Sequence, residues 1–242
     1  MTIFDQNIIN RGKKKMKKII SYTADRFTDY VIKKYDLKNC EGGGYFLTIP
    51  EIDKKDIDDK KDWNILCILG SSGTGKTTIL KQFGKLIEPK YNFSKSIISQ
   101  FEDKTEEEVC EVFYSIGLSS VPLWLHKPNE LSNGERARLD IAWQLLENKD
   151  EYILIDEFTS VVNRTTAKTM SFNLQKYLRR KNKKAVICSC HYDIIEWLQP
   201  DFIFNLNKKS GEKVKLEKVM YKDFTEYPIV DADKLLTKGR LL

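Results

Sequence analysis

Apolar residues in this chain fall into short continuous runs, separated by longer stretches in which they recur at helical spacing. Ile65-Leu66-Cys67-Ile68-Leu69 is the clearest run, with no polar position inside it, as expected of a strand buried on both faces of a parallel sheet. Tyr152-Ile153-Leu154-Ile155, Ala185-Val186-Ile187-Cys188-Ser189-Cys190 and Phe202-Ile203-Phe204-Asn205-Leu206 read the same way. Tyr45-Phe46-Leu47-Thr48-Ile49 predicts a strand stopped by Pro50, Ser96-Ile97-Ile98-Ser99 a second short strand ending at Gln100, and Lys213 to Val219 a late strand after a turn at Ser210-Gly211. Between the runs lie helical patterns. Phe27 to Tyr35 predicts a short amphipathic helix, and Thr78-Ile79-Leu80-Lys81-Gln82-Phe83 opens a helix expected to reach about Ile87, before Pro89. Thr105-Glu106-Glu107-Glu108 starts a helix with carboxylates in its first turn, where the helix dipole favours them, running through Val109, Val112, Phe113 and Ile116 to Gly117. Leu131 to Arg136 opens another, from Arg138 to Asn148, and Ala167 to Arg180 and Ile194 to Leu198 supply the rest. Strands alternating with helices predict an α/β domain around a mainly parallel central sheet.

Composition narrows this little. The chain has 242 residues, enough for one substantial domain with a small appendage. No apolar run approaches the roughly 20 residues that span a bilayer, and no secretory signal is recognisable, so the expected location is cytoplasmic. The net charge of +6 is partly local. Arg11-Gly12-Lys13-Lys14-Lys15-Met16-Lys17-Lys18 is a basic cluster within what reads as a polar arm over residues 1–18, and it suits nucleic acid, anionic lipid or plain solvation. A second cluster, Arg179 to Lys184, sits where a helix ends and a strand begins, and reads as solvated surface. The cysteines, Cys40, Cys67, Cys110, Cys188 and Cys190, show no framework spacing and read as free thiols in a reducing compartment.

The chemistry begins after the clearest strand. Gly70-Ser71-Ser72-Gly73-Thr74-Gly75-Lys76-Thr77 fits the phosphate-binding pattern G-x-x-x-x-G-K-[ST], with a strand before it and a helix, from Thr78, after it. Strand, glycine loop and helix turn backbone N–H groups and a helix N-terminus toward an anion. Lys76 is placed to reach the β- and γ-phosphates of ATP, and the Thr77 hydroxyl to ligate Mg²⁺. Asp156 closes an apolar strand, the position of a carboxylate that holds the Mg²⁺ shell, and Glu157 is placed to orient or deprotonate a water. Gln100 and His191 also end predicted strands, so four strand ends converge as α/β ligand sites require. His126 has no comparable context and reads as structural.

Taken in order, the phosphate loop, Gln100, Leu131-Ser132-Asn133-Gly134-Glu135, Ile153-Leu154-Ile155-Asp156-Glu157 and His191 resemble the ATP-binding cassette (ABC) ATPase family over roughly residues 45–206. The resemblance implies a P-loop NTPase fold of the ABC type, with an antiparallel β element and a short helical subdomain at about 101–148, inside an ATPase domain of 19–220 followed by a tail at 221–242. It implies that Gln100 touches Mg²⁺ and the catalytic water, that Glu157 is the general base, and that His191 binds the γ-phosphate. Leu131 to Glu135 become the signature motif, whose Ser132, Asn133, Gly134 and Glu135 face the γ-phosphate held by a second copy in a head-to-tail homodimer. An aromatic near the first strand stacks on adenine; Tyr45 is the choice among Tyr35, Tyr45 and Phe46. Two departures stand out: Asn133 and Glu135 replace the family's usual Gly and Gln, and Asn163 stands where its D-loop carries Asp. Asn133 tolerates left-handed backbone, and Glu135 is expected to pair with Arg136 or Arg138.

The segments Asp156 to Val162 and His191 to Asp201 are similar to those of soluble bacterial and phage ABC ATPases that occur fused to, or beside, GNAT-type acetyltransferase domains. That similarity implies an acyltransferase or nucleic-acid-linked partner, any acetyltransferase activity lying in another chain. Two other readings stay open: an ATPase subunit of a membrane transporter, against which the short stretch between Gln100 and Leu131 argues, and a slow-hydrolysing ATP-dependent clamp.

Overall fold

A computed structural model of the protein describes residues 15–38, 40, 41, 43–50, 52, 57, 62–207 and 216–218. The predicted alternation forms around β4 (Ile65–Leu69), every residue of which is buried. β4 pairs in parallel with β6 (Lys184–Ser189) on one side and β7 (Phe202–Asn205) on the other. β5 (Tyr152–Ile155) adds in parallel to β6, and β8 (Leu216–Lys218) runs antiparallel to β7, giving the order β5-β6-β4-β7-β8. Because successive strand residues point to opposite faces, each strand feeds two cores at once. Ile65, Cys67, Leu69, Ile153, Ile155, Ala185, Ile187 and Ile203 face α3 (Glu106–Ser115), α4 (Asn133–Glu147) and α5 (Arg164–Arg180), whose buried side chains include Phe113, Leu139 and Leu174. Leu66, Ile68, Leu154, Val186, Cys188, Phe202 and Phe204 face Trp63, Phe83 and α2 (Lys76–Leu80).

A second, antiparallel sheet of order β1-β3-β2 is made by β1 (Lys15–Ser21), β2 (Cys40–Glu41) and β3 (Gly44–Pro50). β1 takes in Lys15, Met16, Lys17 and Lys18, the C-terminal end of the basic cluster, and pairs from Lys15 opposite Pro50 to Ser21 opposite Gly44. Between β1 and β2 lies α1 (Arg26–Lys34), where Asp25 and Thr28 form a reciprocal cap. Residues 1–14, most of the 51–61 connection, the turn at 210–211 and the tail from 219 lie outside the described residues.

Four local expectations change, one being that α4 starts at Asn133 rather than Arg138, because Ser132 caps it. Ser96 to Ser99 is not a strand: Ile98–Gln100 forms a 3-10 turn, because the Gln100 side chain binds the backbone of Asn92, Lys95 and Ser96 and closes that loop on itself. α2 ends at Leu80 rather than near Ile87, since its last amides tighten to i−3 partners, Gln82 to Ile79 and Phe83 to Leu80, as Phe83 turns in against Tyr152. α5 starts at Arg164, earlier than Ala167, because the Asn163 side chain caps it by accepting from Thr166 N at 2.8 Å. A short α6 (Ile194–Leu198) ends at Gln199 in left-handed backbone.

Candidate nucleotide site

The site is built at the C-terminal ends of β4, β6 and β5, which are neighbours in the sheet. Leu69 lies opposite Ser189, so the glycine-rich loop leaves β4 beside the segment that carries His191, and Gly70 N donates to Ser189 O at 3.3 Å. The loop is wrapped around its own lysine: Lys76 Nζ donates to Gly70 O and Ser71 O, both at 2.8 Å. Gly73 and Gly75 hold φ of 78° and 94°, which only glycine adopts cheaply. A Cβ at Gly70 would lie 2.7 Å from Thr74 Oγ1, so the loop closes too tightly there for any side chain. Thr74 Oγ1 itself donates to Ser71 O at 2.8 Å. Ser71, Ser72, Gly73 and Thr77 are exposed, and α2, which carries Thr77 and Thr78, begins with no side-chain cap. An exposed, glycine-cradled, uncapped helix start with an ammonium inside it suits a polyphosphate.

One clasp here escaped the sequence reading. Asn207, just past β7, accepts from Ser71 N at 3.1 Å and donates to Ser71 Oγ at 2.7 Å. Asn205 accepts from Asn207 N and from the Tyr192 hydroxyl, at 3.0 and 2.7 Å. Side-chain amides two apart at a strand end were the available signal.

Asp156 and Glu157 leave β5 in a tight turn. Asp156 Oδ1 accepts from Glu157 N at 3.0 Å, and Glu157 is exposed with φ of 49°. The turn is bolted to β6: Phe158 N donates to Cys188 O at 2.8 Å, and Ser189 Oγ donates to Phe158 O at 2.9 Å. Cys188 Sγ in turn reaches Lys76 O at 3.6 Å, so carboxylates and phosphate loop share one rigid strand between them. Burial pushes the Cys188 thiol well up, and keeps it protonated. His191 is half-buried, its N donating to Ser189 Oγ at 3.1 Å and its Nδ1 lying 3.1 Å from Thr159 Oγ1. Among the described residues no three His, Cys, Asp or Glu side chains form a metal cage. The Thr77 hydroxyl and the Asp156 carboxylate are oxygen donors of the kind Mg²⁺ takes alongside nucleotide oxygens.

The remaining candidates are carried by other elements. Gln100 turns its amide into the 92–96 loop, with Oε1 accepting from Asn92 N at 2.8 Å. Tyr45 lines an apolar cavity of about 310 Å³ with Tyr22, Phe27, Val31 and Leu37, between α1 and the antiparallel sheet. Ser132 caps α4, and Glu135 pairs with it rather than with Arg136 or Arg138. Ser132 Oγ and N donate to Glu135 Oε2 at 2.7 and 2.9 Å, and Glu135 N returns a bond at 3.4 Å. The Ser-x-x-Glu spacing was the sequence signal for this reciprocal cap. The Ser132 hydroxyl bond, then its backbone bond, hold the Glu135 carboxyl below its ordinary range, with Arg138 adding to the effect. Arg136 instead stacks on Tyr91, 4.6 Å from the ring centre. Asn133 is the first helical residue and has no left-handed backbone, so its tolerance for that conformation is not used. Gly134 abuts the loop after Glu157, where a Cβ would lie 3.1 Å from Val161 O. A cavity of about 470 Å³ lies between α4 and that loop, with Arg136, Asp140, Asp156 and Glu157 in its walls.

This architecture is that of ABC cassettes. The dimeric structure of a bacterial ABC transporter cassette superposes with a TM-score of 0.52 at 19% identity, covering 67% of this chain and 88% of that one. A post-hydrolysis dimeric structure of the same cassette, bound to ADP and phosphate, gives 0.51 at 20% identity, covering 66% and 87%. In sequence, an ABC transporter ATP-binding protein of Pyrococcus furiosus is 27% identical over 181 residues, 58% of this chain and 69% of that protein. The lipoprotein-releasing system ATP-binding protein LolD of Legionella pneumophila is 35% identical over 86 residues, and the match spans only 36% of either protein. The profile of the family described as bacterial TniB protein matches residues 53–204, from just before β4 through nearly all of β7. That match takes in the phosphate loop, the Asp156-Glu157 turn and His191, and the chain belongs to the bacterial TniB protein family.

Proposed function

We propose that this protein is an ABC-type ATPase that binds Mg-ATP at the Gly70–Thr78 loop, hydrolyses it, and uses the cycle to switch a partner. The observation that carries the reading is the adjacency of β4, β6 and β5, which gathers the phosphate loop, His191 and the Asp156-Glu157 turn at one sheet edge. The phosphate tail lies along the loop amides and α2, with Lys76 leaving its two carbonyls to meet the β- and γ-oxygens. When bound, Mg²⁺ supplies charge neutralisation there, held by Thr77 and Asp156, with Gln100 joining only if its amide leaves the 92–96 loop. Glu157 accepts the proton of the attacking water, and His191 donates to the γ-phosphate.

Gly134 abuts the Val161 loop, and the dimeric cassette structures to which this fold is similar support a site completed by the Ser132–Glu135 segment of a second copy, head-to-tail. Purified Lys76→Ala protein is expected to lose ATP binding and turnover. Glu157→Gln is expected to bind ATP, turn over at least about a hundredfold more slowly, and accumulate as a dimer. A Glu157→Gln protein as fast as its parent would sink the general-base assignment and leave the clamp reading in its place.

The partner we infer is nucleic acid or an acyltransferase-type protein. ATPase rates with and without double-stranded DNA, at two salt concentrations, test the first: stimulation that fades with salt reports phosphate contacts. The names of the two relatives favour a second reading, an ATPase subunit serving a transporter in another chain. Copurification with a polytopic membrane protein would decide for it.

A further inference from the structure

The contact between Thr159 and His191 has no part in the roles assigned so far. Thr159 is 3% exposed, and its hydroxyl lies 3.1 Å from His191 Nδ1. Its backbone is left-handed, with φ of 68°, a conformation that β-branched residues avoid. The surroundings hold it there: Phe158 N and O are both bonded to β6, and Ser160 N donates to Glu157 O at 3.0 Å. His191 is pinned from its own side through Ser189 Oγ, which bonds His191 N and Phe158 O at once. Ring and hydroxyl therefore meet through two segments fastened to the same serine. A second bridge, the ion pair from Arg164 to Asp193, joins the same two segments farther along.

We propose that Thr159 is a positioning residue for His191, its hydroxyl donating to Nδ1 so that the neutral ring carries its proton on Nε2. This rests on reading His191 as the group that meets the γ-phosphate. Phosphate oxygens only accept, so a ring with its proton on Nδ1 would offer them a lone pair, whereas the Nε2–H form offers a donor. The hydroxyl that selects the tautomer also fixes the ring plane, as the partner of one imidazole nitrogen does for the other.

The test is nitrogen-15 NMR of the full-length, nucleotide-free protein at a pH where imidazoles are neutral. The chain has only two histidines, so a His191→Ala spectrum assigns the signals and His126 serves as the internal reference. Wild type is expected to show His191 with an accepting Nδ1 and a protonated Nε2. Thr159→Ala, which also removes the β-branch from left-handed backbone, is expected to mix the tautomers and to lower kcat about tenfold, with KM for ATP little changed. Thr159→Ser keeps the hydroxyl and is expected to restore both, which separates positioning from packing. Should the alanine variant fail to fold, the serine variant alone remains decisive, since an altered tautomer there overturns the proposal. Unchanged nitrogen shifts in Thr159→Ala, or a wild-type proton on Nδ1, overturn it as well. A His191→Ala protein with wild-type turnover would instead remove the functional reading of His191, and the catalytic purpose of the contact with it.

Discussion

At the residue scale, the site stores its constraints in a few side chains that answer to their own backbone. Glu157 and Thr159 both occupy left-handed backbone, at about 1–3 kcal/mol each, and persist because bonds to β6 over-determine the turn between them. Glu135 shows how a departure from a family pattern can be absorbed locally. Its carboxylate bonds Ser132 at the start of α4, and its folded-state pKa lies below the ordinary value. The stabilisation is thus present in full above the pKa of a free carboxylate, and is lost as pH falls through the folded-state value. Glu135→Gln keeps the cap geometry without the titration. The wild type is therefore expected to melt higher than Glu135→Gln at neutral pH, and this difference in Tm to shrink as the solution is acidified; a constant difference would place the lowered pKa elsewhere. Asn163 is similar: the second departure from the pattern that the sequence resembles is the N-cap of α5.

At the scale of elements, one carboxylate fastens the sheet. Asp201, ahead of β7, accepts from Asn64 N and Ile65 N, both at 2.9 Å, and pairs with Arg179 of α5 at 3.1 Å. Arg179 also bonds Gln199 O, so the end of α5, the start of β4 and the entry to β7 converge on it. Asp201→Ala strands two backbone donors and takes the carboxylate, though not Gln199 O, from Arg179, and is expected to cost about 2–4 kcal/mol in denaturant unfolding. A loss below about 0.5 kcal/mol would mean that water replaces the carboxylate freely. Elsewhere the elements follow local rules until tertiary contact overrides them. The Glu-rich first turn and Thr105 cap made α3 readable, whereas Ser96 to Ser99 looked like a strand only because its apolar pair, Ile97 and Ile98, serves a loop instead. Periodicity cannot separate those two uses of a short apolar run.

At the scale of the whole molecule, the glycine loop leaves β4 while the Ser132–Glu135 segment opens α4, two elements far apart in sequence. Gly134 rests against the backbone of the exposed Val161, with Val162 beside it. If two copies complete each other's sites, ATP stabilises a dimer as much as it supplies a substrate, and the dimer's Tm with Glu157→Gln should rise with ATP concentration. No helix among the described residues is long and apolar enough to cross a membrane.

The sequence by itself determined the parallel α/β core, the phosphate loop and the strand-end carboxylates. Each of these is written in adjacent residues, as an apolar run, a glycine spacing or an acid at a strand's end, and needs no distant partner to be read. Only the tertiary structure decided which strand lies between which. That order set Ser189, two residues before His191, beside Gly70, and the fold tied Thr159 to the ring, Asn207 to Ser71 and Gln100 to its own loop. Those contacts join residues whose separation in sequence carries no period, so only the folded chain brings their hydrogen-bonding groups within reach of one another.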